Sequence, residues 1–169
     1  ELIEYGFNRL KEITRAGAPQ VIIPVEKFAT DKATDTFSNL AFKSYKKWGD
    51  KSPTIAIENL FPGMAFARAE DMAKLVDTAR EKFIKKLVSE KKLSKKQAEK
   101  KAEKILGMTW DVGHLNIHKK LGFDDEHIRK ETEKVADYIK HIHLTDNFGY
   151  SDSHLAPGMG NVPFKKILE

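Results

Sequence analysis

The chain has 169 residues, enough for one domain with a real core, and no cysteine, which excludes a disulfide framework and thiolate metal ligands and suits a reducing cytoplasm. No apolar run approaches the roughly 18–20 residues of a membrane span and no signal peptide is visible, so a soluble, cytoplasmic protein without a membrane partner is expected. The formal charge is +5, but residues 81–104 alone hold ten lysines and four glutamates, leaving the remainder about neutral. That run reads as the solvated face of two amphipathic helices before it reads as a phosphate-binding surface.

In chain order, residues 1–16 carry Leu2, Gly6, Leu10 and Ile13 on one helical stripe, closed by Gly17 with Pro19 just beyond. The chain opens without methionine, directly in this helix. Residues 20–25 contain the apolar run VIIPV, which suits a strand buried on both faces and ending near Pro24. Phe37, Leu40, Ala41, Ser44, Tyr45 and Trp48 then keep helical spacing up to Gly49. In the strand expected over 54–59, Ile55 and Ile57 face one way and Thr54, Ala56 and Glu58 the other.

After a Phe61-Pro62-Gly63 turn, Met72, Leu75, Val76, Ala79, Phe83 and Leu87 mark a long helix. A second helix begins at Ser94, whose spacing to Gln97 fits a capping box, and stops at Gly107. Over 108–113, Met108, Trp110 and Val112 share one face of a strand and Thr109 and Asp111 the other, with His114 following. Asp124 or Asp125 caps a helix running through Ile128, Val135, Ala136 and Ile139. In the strand from 141, Ile142 and Leu144 should meet a helix layer while His141, His143 and Thr145 point elsewhere. Pro163 suits the first turn of a further helix.

Strands beginning near 21, 54, 108 and 141, each followed by a helix, imply parallel βα units. Their spacing is 33, 54 and 33 residues, which becomes regular if 81–106 is a lysine-rich helical insertion. In parallel α/β architectures the strand C-termini gather on one face, so Glu58, Asp111 and His143 should converge. One Glu, one Asp and one His make a hard-to-borderline site suited to Mn, Mg, Co or Zn, with positions left for substrate.

Each residue also has a plainer reading. Asp111 serves equally as a turn or cap residue, and Glu58 and His143 as satisfied polar groups lining a barrel. His114 is a candidate for a second metal or a substrate oxygen, or else a hydrogen bonder in its loop. His154, two residues after Asp152, offers another metal pair; His118, His127 and His141 read as structural. The amides around Gly158-Met159-Gly160 can cradle an anion or simply form a turn.

Four stretches, IAIENL at 55–60, TWDVGHLN at 109–116, HIHLTDN at 141–147 and DSHLAPGMGN at 152–161, resemble in order and spacing the xylose isomerase-like barrels. That family includes sugar and sugar-phosphate isomerases or epimerases and the endonuclease IV type of apurinic endonuclease. The resemblance implies an α/β fold of (β/α) TIM-barrel type, with 1–169 as a single partial domain matching about the last two-thirds of a barrel. It also implies Glu58, Asp111 and His143 as ligands of a shared divalent metal, with His114 binding substrate in an isomerase. In the nuclease branch His114, Asp152 and His154 would hold extra zinc ions. Isomerases of the family use metal-held neighbouring oxygens, with Glu58 and a second glutamate exchanging a proton.

The sequence departs from the family in three places. The last metal glutamate lies on a final strand that this chain, ending at Glu169, does not reach. The nuclease histidine at the strand matching 21–25 is replaced by Pro24, Val25 and Glu26, and Gly149 stands where many epimerases have an arginine. The chain therefore reads as part of a longer enzyme. The expected function is a divalent-metal-dependent sugar or sugar-phosphate isomerase or epimerase acting on a carbohydrate. The alternatives are zinc-dependent cleavage of abasic DNA and an inactive barrel fragment that self-associates through open strand edges.

Overall fold

Alternating helices and short strands build the chain, and the computed structural model describes residues 25–168 together with 5, 6, 8–10 and 12. Those six early positions are helical, in keeping with the helix expected over 1–16. Gly17, Pro19 and the expected strand over 20–25 lie outside the described residues, except for Val25, which opens a helix.

That helix, α1 (Val25–Trp48), is twice as long as its apolar stripe suggested. Thr34 in its first half and Ser38 just past its middle are fully buried and hydrogen-bond back to the carbonyls of Asp31 and Asp35. Leu40 and Trp48, expected inside, are each 49% exposed, while Phe42 takes the buried place.

Beyond it come β1 (Ile55–Glu58), α2 (Ala69–Lys91), α3 (Lys95–Ile105), β2 (Leu106–Asp111) and the short α4 (Val112–Asn116). A 3-10 turn, Ile117–Leu121, leads to α5 (Asp125–Val135), then β3 (Ile139–His143) and α6 (Phe164–Leu168). The strands form one parallel sheet in the order β1-β2-β3. This is the arrangement of successive βα units in part of an α/β barrel.

Ile57, Met108 and Trp110 turn to the helix side and pack with Met72, Leu75 and Val76 of α2 and Ile128 and Val135 of α5. A second core joins Ala41 and Phe42 of α1 to Phe83 and Leu87 of α2 and to Ala98, Ala102 and Ile105 of α3. The expected α2 stripe is buried at every position. The lysines of 81–106 lie around this second core; Lys82 pairs with Asp35, Lys86 with Asn39 and Lys101 with Asp50.

The helix ends follow from named side chains. Ser94 and Gln97 form the capping box of α3, and Asp124 caps α5 through the His127 amide. The buried Glu131 of α5 accepts the Ala69 amide at 2.9 Å, covering an otherwise unpaired donor at the start of α2, and pairs with Lys134 at 2.8 Å. Among the described residues no helix is long and apolar enough to cross a membrane.

Three expectations need correction. The helix expected to stop at Gly107 ends at Ile105, and Gly107 lies inside β2. A Cβ there would sit 2.3 Å from Lys140 Cγ, so the glycine makes room for β3. The helix expected to include Ala136 and Ile139 stops at Val135, and Ile139 begins β3. Ile142 and Leu144 do not find a helix layer among the described residues; β3 is an edge strand and they are 37% and 42% exposed.

Candidate metal centre

Register sets the site. Glu58 is level with Thr109, and Asp111 with His143, so parallel pairing carries three strand ends to one place. Pairing of β3 slips by one residue: Ile139 faces Met108, but His141 faces Thr109, leaving Lys140 as the extra residue between these two pairs. Side chains alternate, so this bulge lets Ile139 join the core while His141 and His143 turn to the other face.

His143 Nδ1 lies 2.7 Å from Glu58 Oε1 and 3.4 Å from Asp111 Oδ2. Glu58, Asp111 and His114 each place one ligand atom within 4.8 Å of the others. The three strand ends expected to converge stand close together, and the grouping with metal-ligand geometry is Glu58, Asp111 and His114, with His143 beside Glu58 and Asp111. His141 stands edge-on to His143, ring centres 4.9 Å apart, and is exposed.

The fully buried carboxylate of Asp111 divides its work. Oδ1 accepts from the Gly113 amide at 2.8 Å, the His114 amide at 3.1 Å and the Thr145 hydroxyl at 3.1 Å. Oδ2 is buried with no hydrogen-bond partner. Gly113 has to lack a side chain here, because a Cβ would lie 2.2 Å from Thr145 Oγ1. The neighbouring Asn59, which sequence reasoning missed, donates from Nδ2 to the Asp111 carbonyl and accepts the Asp111 amide at 2.7 Å. Its place directly after Glu58 in IAIENL was the available signal.

His114 donates from Nδ1 to the Asn59 carbonyl at 2.7 Å, which turns Nε2 towards Asp152 Oδ2 at 3.1 Å and Asp111 Oδ2 at 3.8 Å. Burial alone would lower its pKa, but the Asn59 hydrogen bond and the charges of Asp111 and Asp152 outweigh burial and raise it. The Phe61 ring meets His114 edge-on at 5.7 Å. His154, in a left-handed backbone conformation with φ +48°, places Nε2 2.9 Å from the same Asp152 oxygen, and the other Asp152 oxygen is buried without a partner.

The glycine loop does not offer its amides outward. Gly158 and Gly160 both donate to Asp146 Oδ2 at 2.8 Å, while Asn147 and Val162 donate to Oδ1. The anion expected at Gly158 and Gly160 is thus an internal carboxylate, which sequence reasoning did not single out. Burial would raise the Asp146 pKa, but these four amides lower it and keep it ionised. Asn116 Nδ2 donates to Asn147 Oδ1 and Asn161 Oδ1, so the loop carrying Asp152 and His154 is tied to α4.

The donor set fits a divalent ion. Oxygen and imidazole ligands without sulfur suit hard-to-borderline cations. A buried carboxylate oxygen without a donor is costly alone and is satisfied by a cation.

Comparison with known proteins places this geometry in context. No protein-family model matches the chain. An uncharacterised protein of Methanocaldococcus jannaschii is 41% identical over 66 residues, 39% of this chain and 21% of that protein. The fructoselysine 3-epimerase of Escherichia coli O157:H7 is 36% identical over 36 residues, 21% of this chain and 13% of the enzyme. The crystal structure of a D-tagatose 3-epimerase-like protein superposes with a TM-score of 0.50 at 24% identity, covering 84% of this chain and 44% of the other. The chain matches about a fifth of the length of the first relative and less than half of the structural neighbour. The fold is therefore that of part of an α/β barrel.

Proposed function

We propose that this chain supplies the metal-binding side of a sugar or sugar-phosphate isomerase or epimerase. The observation that carries the reading is Asp111, whose Oδ1 is saturated by three donors while Oδ2 stays buried and unpartnered beside Glu58 and His143. Local similarity to a fructoselysine 3-epimerase supports the substrate class.

Glu58, Asp111 and His143 are the ligands, and a bound Mn, Zn, Mg or Co ion would supply Lewis acidity to neighbouring substrate oxygens. Glu58, at 40% side-chain exposure, reaches the open face of the site and is the base that takes and returns a proton at the substrate carbon. His114, turned by Asn59, presents Nε2 to a substrate hydroxyl, and Asp152 steadies it.

The test is deuterium exchange from D2O into a panel of sugars and sugar phosphates, read by NMR with the complete enzyme. Exchange by the unmodified enzyme and its loss, by at least about a hundredfold, in Glu58→Gln is expected. Undiminished exchange in Glu58→Gln would overturn the assignment of the base.

A second reading has its own observation: Asp152 lies between His114 and His154, as a site with extra zinc ions would require. It predicts cleavage of abasic duplex DNA that is abolished by His154→Ala.

A further inference from the structure

We infer that the molecule holds a second ligand site, distinct from the metal centre, that takes a small organic anion with an apolar, ring-bearing body and one group to hydrogen-bond with His118. The site is a cavity of about 1110 Å³ between the start of α1, the 62–68 loop, the first turns of α2 and the turn at 121–123. That volume is at the upper end of small-molecule pockets, about 300–1,000 Å³.

The second observation is His118 itself. It lines the cavity, is 3% exposed, and neither ring nitrogen has a well-formed hydrogen bond, the Ala67 carbonyl being the one backbone acceptor near it. Burial first, and His127 next, lower its pKa; the Ala67 carbonyl opposes this only in part. The neutral ring thus directs its N–H towards the Ala67 carbonyl and keeps one lone pair to fill, cut off from bulk water. A buried polar group in that state is normally satisfied by a partner.

The walls define the rest of the ligand. Met64, Phe66, Leu121 and Phe123 supply apolar surface, and Phe123 is fixed in place by stacking on His127 with ring centres 4.0 Å apart. Three cations, Lys27, Arg68 and Lys74, outnumber the two acids Asp31 and Asp71. Arg68 is partly engaged by Glu131 at 3.6 Å; for Lys27 and Lys74 the described residues provide no such pairing. Net positive charge around apolar walls favours an amphipathic anion. The Phe61 ring abuts His114 and the residues after it line the cavity, so this loop divides the two sites; no candidate metal ligand lines the cavity.

Anilinonaphthalene sulfonate, an aromatic anion with one N–H, is the probe, titrated by fluorescence. The expected result is saturable binding of one probe per chain, weakened about tenfold by either Lys74→Glu or Leu121→Asp. Both positions are exposed, so the variants should fold, and Lys96→Glu on α3 should bind like the unmodified protein. Excess Mn2+ should not displace the probe. Absence of saturable binding, binding by both cavity variants as tight as by the unmodified protein, or displacement by Mn2+ would overturn the inference.

Discussion

Asp111 satisfies two readings at once, because its two oxygens do different things. Oδ1 caps α4 and holds Thr145, and Oδ2 is left free beside Glu58 and His143. Replacing Asp111 by Asn should preserve much of the cap but weaken Mn2+ or Zn2+ binding by at least about tenfold, measured by calorimetry. His154→Ala discriminates between the functional readings: its side chain is 62% exposed and pairs with Asp152, so an isomerase should keep activity within about tenfold while a multi-zinc nuclease should lose it. Sequence marked Glu58, Asp111 and His143 as strand-end residues, and the structure brings their side chains together. Asp146 was not marked, since a carboxylate just past a strand end gives no sign in sequence that amides from the later glycine loop will close around it.

At the scale of elements, strand ends were legible and strand faces less so. Alternation placed Glu58 and Asp111 correctly, but no pattern marks the slip at Lys140 that lets Ile139 and His143 serve opposite faces. Nor could an apolar stripe reveal the first half of α1, which buries the Thr34 hydroxyl. The link between α5 and α2 through Glu131 was equally silent, because it joins residues 62 positions apart. Burial opposes ionisation of Glu131, but Lys134 and the Ala69 amide outweigh it and lower its pKa. A depressed carboxylate pKa gives stability that is present above the ordinary glutamate range and lost as pH falls through the folded value. Glu131→Gln should therefore lower the melting temperature near neutrality and flatten its fall in acid; an unchanged acid limb would contradict this role. Ser94→Ala should cost about 1 kcal/mol by removing the α3 capping box.

Across the whole molecule, the lysines of α2 and α3 surround a core of their own, and two of them, Lys82 and Lys86, pair with α1. That arrangement agrees with a solvated face, and the proposed isomerase or epimerase reading calls for no DNA groove. Abasic duplex DNA should accordingly bind weakly, whereas a nuclease would show tight binding that falls steeply with salt. Among the described residues β1 and β3 are the edges of the sheet, and the exposed Ile142 and Leu144 lie on or next to β3. We propose that this edge is where the chain would self-associate; a monodisperse monomer in size-exclusion chromatography would contradict that. Elemental analysis of metal per purified chain tests the central claim most directly. About one divalent ion per chain, lost in Asp111→Asn, is the predicted result; a protein that retains no metal, or retains it equally in the variant, would contradict the account.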